Sequence, residues 1–262
     1  MTISIKSLSY YYPSYPPAKG LERINLQIGT GELVGVVGPS GAGKSSLLLC
    51  LAGILTPTDG QARITVPAGE ARIGLIMQEP ERQFFLNNVY EEVAFALTLR
   101  KRPKTEIDPA VRQVLEQVGY TGAWNSSPFR LSGGEQRRVA IASILIMDPD
   151  VILLDEPTVG MDAQGLAVLR ALIAQWRAKQ VTVLIVSHDQ DFLYQEVDRV
   201  LLLKDGQLQA DFAKRDWLKQ TDQLTVCGVG LPEVVQLLKL PDLPESLRRF
   251  LAGTETEVIP YT

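Results

Sequence analysis

The chain has little cysteine, a single histidine and no long apolar run. Its two cysteines, Cys50 and Cys227, lie far apart in the sequence, which argues against a metal cluster or a disulfide framework. The longest nearly continuous apolar stretch, residues 139–147, is interrupted by Ser143. A membrane-spanning helix requires roughly 18 apolar residues, so we expect a chain that does not cross a membrane.

Positive charge is not in excess either. The 262 residues include 26 basic and 30 acidic side chains, for a formal net charge of −4. This balance gives no bulk attraction to nucleic acid or to anionic lipid, so we expect any membrane association to run through a protein partner. The first residues alternate like a strand and lack the basic-then-apolar layout of a secretory signal, which predicts a cytosolic protein.

Short runs that are apolar on both faces alternate with helical stretches. The runs lie at residues 33–37, 151–154 and 181–186. The helical stretches between them lie at residues 45–52, 135–147 and 165–179. Such alternation predicts an α/β fold with a mainly parallel sheet covered by helices. Further along, Asp205-Gly206 predicts the turn of a late hairpin.

Two segments depart from this alternation. Residues from about 79 to 139 are richer in charge and have apolar residues at helical spacing, namely Val111, Val114, Leu115 and Val118. We interpret this segment as a helical subdomain inserted into a main domain of residues 1–220. After the hairpin, prolines separate short apolar helices at 234–240 and 247–251, so we expect residues 221–262 to form a small separate C-terminal module.

A glycine-rich loop joins the first apolar run to the first helical stretch. Glycine at 38, 41 and 43 allows the backbone to wrap an anion, and the following helix directs its free N–H groups at phosphates. Lys44 is expected to reach the β- and γ-phosphates of a nucleotide, and the Ser45 hydroxyl to ligate Mg²⁺. The alternative is an ordinary glycine-rich turn. The predicted phosphate-binding residues are Gly38, Pro39, Ser40, Gly41, Ala42, Gly43, Lys44, Ser45 and Ser46.

Two adjacent carboxylates, Asp155 and Glu156, follow the apolar run at 151–154. Ligands of open α/β sheets bind beyond the carboxyl ends of the strands, so we expect Asp155 to hold Mg²⁺ through water. Two solvated carboxylates at a strand end are the alternative interpretation. The nearby glycine-rich loop favours the metal site.

A third motif, Leu131-Ser-Gly-Gly-Glu135, lies between the glycine-rich loop and the carboxylates. Together the three motifs resemble those of the ABC (ATP-binding cassette) ATPases. The resemblance implies a P-loop ATPase cassette with an N-terminal antiparallel β part, and ATP hydrolysis between two facing subunits. It implies that this signature segment binds the γ-phosphate held by the opposite subunit, through Ser132, Gly133, Gly134 and Glu135. The family more often has glutamine at position 135, and we expect the charge of Glu135 to weaken ATP-driven closure.

The resemblance also assigns roles to four other polar residues. Glu156 matches the general base that polarises the attacking water, and His188 matches the switch histidine that senses the γ-phosphate. Gln78 matches the glutamine of the Q-loop, which touches Mg²⁺ and the attacking water. Asp162 matches the carboxylate of the D-loop, residues 159–162, whose first residues depart from the commonest form.

Three tyrosines near the N-terminus compete for one role. Tyr12, which precedes Pro13, resembles the aromatic side chain that stacks on adenine in this family. Tyr10 and Tyr15 are the alternatives, since an aromatic cluster is equally consistent with core packing.

Residues 78–84 and 89–95 are similar to the Q-loop and adjacent helix of the ATPases of energy-coupling factor (ECF) transporters. The segment 230–238 resembles the dimer-stabilising tail of those ATPases, whereas Glu79 and Arg82 depart from the common pattern. The resemblance implies an ATPase at the cytoplasmic face of the cell membrane that powers uptake of a vitamin or a transition-metal ion. The implied partners are a second ABC ATPase subunit, a transmembrane coupling protein docking near residues 78–95, and a separate substrate-capturing membrane protein.

Three other functions stay open at this point. The chain could serve another ABC importer or exporter, although no fused membrane domain is visible in the sequence. A soluble ABC ATPase acting on nucleic acid or ribosomes is disfavoured by the negative net charge and by the lack of a coiled-coil insertion, a zinc module or a second cassette. A scaffold without catalysis is disfavoured by the intact polar residues Lys44, Asp155, Glu156 and His188.

Overall fold

Nine strands form two separate sheets in the part of the chain that the structure describes. This computed structural model describes residues 2–16, 18–66, 69–241 and 244, without the side chains of residues 80 and 81. The strands are β1 (Thr2–Tyr12), β2 (Ala18–Gly29), β3 (Leu33–Val37), β4 (Asp59–Thr65), β5 (Ile73–Ile76), β6 (Val151–Asp155), β7 (Thr182–Val186), β8 (Arg199–Lys204) and β9 (Gln207–Ala213). The α-helices are α1 (Lys44–Leu51), α2 (Val89–Leu99), α3 (Lys104–Gln117), α4 (Gly133–Leu145), α5 (Ala163–Ala178), α6 (Gln190–Glu196), α7 (Thr221–Val226) and α8 (Glu233–Leu238).

The larger sheet confirms the predicted parallel arrangement. Its strand order is β5-β6-β7-β3-β8-β9, and every neighbouring pair is parallel except β8 and β9. All residues of β3, β6 and β7 are buried because both faces of the sheet are covered. The carboxyl ends of these three strands therefore meet at one edge, where the glycine-rich loop, the two carboxylates and His188 follow them.

Two hydrophobic cores cover the two faces of this sheet. Leu33 and Val37 face a core shared with α2 to α8, whereas Val34 and Val36 face a core shared with α1 and the smaller sheet. This alternation follows from the two-residue period of a strand. The smaller sheet is antiparallel, with the order β2-β1-β4, and it places the end of β1 beside α1.

The segment between β5 and β6 is helical, as predicted. In α3 the side chains of Val111, Val114 and Leu115 are buried, and so is Val118 at the end of the helix. α4 continues beyond residue 139 to Leu145, so the proposed limit of the helical subdomain falls within a helix and stays a prediction. Among the described residues, no helix combines the length and the apolarity that crossing a bilayer would require.

Two predicted helices begin earlier than expected. α4 begins at Gly133 rather than at residue 135, and α5 begins at Ala163 rather than at 165. The side chains of Ser132 and Asp162 cap these helices by accepting backbone N–H groups, which fixes the first turn ahead of the apolar residues. Local capping therefore sets the two boundaries.

The hairpin of β8 and β9 turns at Asp205 and Gly206, as predicted. Both residues have positive φ, 51° and 76°, which a two-residue hairpin turn of this kind requires. Beyond it, Leu224 of α7 and Val235 of α8 are buried in the same core as the main-domain residue Phe192. The helix predicted at 247–251 lies outside the described residues, and the division of the chain at residue 220 stays a prediction.

Candidate functional site

The glycine-rich loop between β3 and α1 requires glycine at two positions where the backbone is crowded. Gly38 and Gly43 have φ values of 152° and 97°, a region that favours glycine. A Cβ at Gly38 would collide with the carbonyl oxygen of Leu203, and one at Gly43 with the carbonyl oxygen of Gly20. The loop is therefore packed closely against β2 and β8 while its other side stays open.

Lys44 folds back into this loop. Its side chain is buried, and its Nζ donates hydrogen bonds to the carbonyl oxygens of Gly38 (2.8 Å) and Pro39 (3.0 Å). Burial lowers the pKa of Lys44, and the carboxylates of Glu156 and Asp155 oppose this effect. An anion bound in the loop would favour the charged amine, so the geometry suits phosphate.

Asp155 and Glu156 lie at the carboxyl end of β6, and both are buried. Burial raises the pKa of Asp155, partly offset by a hydrogen bond from the Ser45 hydroxyl and by the charge of Lys44. Glu156 has a φ of 51°, a strained conformation for a residue with a side chain. Its N–H donates to the carbonyl oxygen of Val186 at 2.9 Å, which fixes this conformation.

The two carboxylate oxygens of Glu156 have different surroundings. Oε2 accepts a hydrogen bond from the N–H of His188 at 3.1 Å. Oε1 is buried and lacks a hydrogen-bond partner among the described residues, although His188 Nε2 lies 3.5 Å away. His188 Nε2 also lies 3.5 Å from Lys44 Nζ. A buried carboxylate oxygen without a hydrogen bond is costly, so a hydrogen-bond donor bound beside Oε1 would stabilise it.

The residues around Ser45 fit a magnesium ion. The Ser45 hydroxyl lies close enough to the Asp155 carboxyl to lower its pKa, so two oxygen donors of the kind that Mg²⁺ prefers are already adjacent. The third residue predicted for the metal, Gln78, is exposed and lines a different cavity. The structure therefore brings together two of the three predicted metal residues.

Of the three competing tyrosines, Tyr12 lies beside the glycine-rich loop. Its hydroxyl is 2.8 Å from Ser46 Oγ, and it lines a cavity of about 260 Å³ together with residues 41–46. Tyr10 is buried and packs edge-on against the Tyr12 ring, with 5.0 Å between the ring centroids. Tyr15 is fully exposed.

Ser132 and Glu135 form a capping box at the start of α4. Ser132 Oγ donates to Glu135 Oε2 at 2.6 Å, the Ser132 N–H donates to the same oxygen at 3.0 Å, and the Glu135 N–H donates to Ser132 Oγ. These hydrogen bonds lower the pKa of Glu135. The signature serine is therefore engaged with an anionic side chain of its own helix.

The signature segment and the glycine-rich loop line two different cavities of the chain. The second cavity, of about 370 Å³, is lined by Gly133, Gly134, Gln78 and Asp162, but by none of the loop residues 38–46. In this cavity the Asp162 carboxylate accepts the N–H of Gly165 at 2.7 Å as the cap of α5. Within one copy of the chain, the predicted residues of the glycine-rich loop are therefore separate from those of the signature segment, the Q-loop and the D-loop.

Sequence reasoning missed Arg137, which contacts both loops around the second cavity. Its guanidinium donates to the carbonyl oxygens of Gln78, Pro157 and Val159. No local signal distinguishes Arg137, because Arg138 likewise lies three and four positions before buried residues of α4, Ile141 and Ala142.

Comparison with known proteins agrees with these motifs. A family model described as "ABC transporter" matches residues 21–159. The energy-coupling factor transporter ATP-binding protein of Acetivibrio thermocellus is 35% identical to the chain over 251 residues, which cover 91% of this chain and 89% of the relative.

Two solved structures have the same fold. The structure of cbiO1 from Clostridium perfringens, part of the ABC transporter complex cbiONQ, has a TM-score of 0.72 and 28% identity, and the match covers 91% of this chain and 98% of that one. A dimeric post-hydrolysis ATP-binding cassette bound to ADP and Pi has the same TM-score and identity, with 81% and 98% covered. The chain belongs to the family of ABC transporter ATPases.

Proposed function

We propose that the chain is the ATP-hydrolysing subunit of an ECF-type membrane importer. The observation that carries this proposal is the similarity to an ECF ATP-binding protein over 91% of the chain, well beyond the 21–159 segment common to the wider family. In this function the chain lies at the cytoplasmic face of the cell membrane. A separate membrane protein captures the solute, a vitamin or a transition-metal ion.

The residues at the carboxyl ends of β3, β6 and β7 carry out the chemistry in this proposal. The glycine-rich loop and Lys44 hold the β- and γ-phosphates of ATP, and Tyr12 stacks on adenine. Glu156 accepts a proton from the attacking water at Oε1, while His188 contacts the γ-phosphate between Lys44 and Glu156. Ser45 and Asp155 would hold Mg²⁺, with Gln78, which lines the other cavity, as the third predicted metal residue, and the ion would neutralise charge on the phosphates.

Hydrolysis requires two subunits in this proposal. The glycine-rich loop of one subunit and the signature segment of the other enclose the same ATP. Ser132, Gly133 and Gly134 of the signature segment contact its γ-phosphate. The two separate cavities within one chain support this arrangement. Loss of the γ-phosphate removes the group that both subunits contact, so the dimer opens. This opening can do mechanical work on an attached partner. Residues 221–262 are proposed to stabilise the dimer.

A groove beside the Q-loop is the proposed docking site for the transmembrane coupling protein. It has a volume of about 210 Å³ and is lined mainly by aromatic and aliphatic side chains, together with Gln83, Glu92 and Ser143. Phe85 is 59% exposed and packs edge-on against Phe95, with 4.8 Å between the centroids. The two departures from the family pattern, Glu79 and Arg82, form an ion pair with each other at 2.6 Å.

Purification of the tagged chain from detergent-solubilised membranes tests the proposal. We expect membrane proteins to co-elute, whereas ribosomes or DNA in the eluate would contradict the importer function. Charge reversal at Arg82, or Gln83→Glu, should reduce co-elution and leave ATP binding unchanged. The matched control is Lys179→Glu, which reverses an exposed charge at the end of α5, outside the groove lining.

A further inference from the structure

We infer that Arg137 is a positioning residue that holds the Q-loop and the D-loop in a fixed relation to the signature helix α4. The inference rests on the proposed function, because it takes Gln78 and Glu156 as residues that act on the attacking water. It adds a residue that none of the sequence motifs identified.

One guanidinium contacts three backbone carbonyl groups. Arg137 Nη2 donates to the carbonyl oxygen of Gln78 at 2.7 Å. Nη1 donates to the carbonyl oxygen of Pro157 at 3.2 Å and also to that of Val159. A guanidinium presents its N–H groups in a rigid planar fork, so these bonds constrain the acceptors relative to one another as well as to Arg137.

The three acceptors belong to the two segments that leave β5 and β6 at the same edge of the sheet. Gln78 lies two residues after the end of β5. Pro157 directly follows Glu156, whose strained φ of 51° depends on the path of the chain at this point. Val159 begins the D-loop. A displacement of these backbone segments would therefore move Gln78 and the carboxylate of Glu156.

Arg137 comes from the second turn of α4, the helix that begins at the signature segment. When the signature segment binds the ATP held by the other subunit, a movement of α4 would thus be transmitted through Arg137 to Gln78 and Glu156 of the same chain. Such a linkage restricts hydrolysis to the state in which the signature segment is engaged. Closure of the dimer and correct positioning of the residues around the attacking water would be coupled in this way.

The adjacent Arg138 provides an internal comparison. It lines the same cavity, but its Nη1 donates to the carbonyl oxygen of Gly119, in the chain segment after α3, at 3.2 Å. The two arginines therefore have the same charge, lie on the same helix and line the same cavity. They differ in the backbone carbonyl groups that they contact. Arg138→Ala is a matched control for Arg137→Ala.

The experiment compares the parent with Arg137→Ala, Arg137→Lys and Arg138→Ala. We expect Arg137→Ala to reduce kcat by about 100-fold, because displacements of about 1 Å at catalytic groups cost that much. ATP affinity should stay unchanged, since Arg137 and the glycine-rich loop line different cavities. Arg137→Lys should recover part of kcat, and Arg138→Ala should leave hydrogen exchange in residues 76–82 and 157–162 as it is in the parent. Hydrogen exchange should become faster in residues 76–82 and 157–162 of Arg137→Ala, but not in 38–46.

Two results would overturn the inference. One is a kcat for Arg137→Ala close to that of the parent. The other is a parallel loss of ATP affinity, thermal stability and turnover with faster exchange throughout, which indicates a general structural role. Glu156→Gln measured in the same assay separates this inference from the proposed function, because undiminished turnover in Glu156→Gln would contradict the role of Glu156 whatever Arg137 does.

Discussion

Glu156 combines three unfavourable features in one residue. It is a buried carboxylate, its backbone φ is 51°, and its Oε1 lacks a hydrogen-bond partner among the described residues. Strain and unsatisfied polar atoms of this kind persist where the surrounding structure enforces them, often at sites of chemistry. Val186 and His188 supply that enforcement through the backbone N–H and Oε2 of Glu156.

Glu156→Gln should keep ATP binding and reduce turnover by at least about 100-fold, since a general base contributes about that much. The amide is nearly isosteric, but it cannot take up a proton. ATP should then trap a closed dimer, visible as a doubled mass in light scattering. The control is Glu91→Gln, an equivalent change at an exposed residue of α2. Turnover near the parent rate in Glu156→Gln would rule out this base.

Glu135→Gln should strengthen ATP-driven dimerisation. Glutamine can keep the hydrogen bonds to Ser132 and removes a negative charge beside the bound γ-phosphate. Like charges about 4 Å apart in water repel by about 1 kcal/mol, so the ATP concentration for half-maximal dimer should fall roughly fivefold. The measurement uses light scattering of chains that also have Glu156→Gln.

Glu106→Gln is the control for that change, because Glu106 also lies in the first turn of a helix, α3. It should leave the ATP concentration for half-maximal dimer unchanged. An equal shift in Glu106→Gln, or no shift in Glu135→Gln, would contradict an effect of charge at the signature segment.

At the scale of elements, residues that act through local pattern could be predicted from the sequence and those that act through distant contacts could not. β3, β6 and β7 are buried throughout, so their apolar runs are continuous. The glycine-rich and signature motifs precede helices that organise them locally. By contrast, Arg137 contacts Gln78, 59 positions away, and Pro157, 20 positions away. Such pairs depend on how strands are ordered in the sheet, which no local pattern encodes.

The start of the edge strand β5 is fixed by an ion pair with the loop before β6. Arg72 Nε and Nη2 donate to the two oxygens of Asp150, each at 3.2 Å, and the Arg72 N–H donates to Oδ2. The Arg72 side chain thereby lowers the pKa of Asp150. Because the folded-state pKa lies below the unfolded one, this stabilisation is present at neutral pH. It is lost as the pH falls below about 4 and through the folded-state pKa.

Asp150→Asn should therefore lower the free energy of unfolding at pH 7 by about 1 kcal/mol, a modest value because water screens the partly exposed pair. The variant should also lose less stability than the parent on acidification. Denaturant titrations at pH 7 and at about pH 3.5 measure both effects. Asp148→Asn is the control, because Asp148 contacts Arg72 once and its side chain is 76% exposed. Equal losses in the two variants would contradict the account.

At the scale of the whole molecule, we propose that the two cavities hold different parts of the ATP site, which two copies of the chain complete together. Lys44 lines one cavity, with His188 Nε2 3.5 Å from both its Nζ and Glu156 Oε1, and the signature residues Gly133 and Gly134 line the other. Ser45 and Lys44 both lie close enough to Asp155 to lower the pKa of its carboxyl, so we expect the phosphates and the metal to bind on the same side. We propose that a chain without a partner binds ATP but leaves the γ-phosphate open to solvent on one side.

Mixing two inactive variants tests this division most directly. Lys44→Ala disables the loop side of each chain and Ser132→Ala the signature side, so neither homodimer should hydrolyse ATP. A mixed dimer contains one site built from the intact loop of one chain and the intact signature of the other. The account predicts that turnover returns on mixing. A mixture as inactive as its components, with mixed dimers demonstrated by mass, would contradict it.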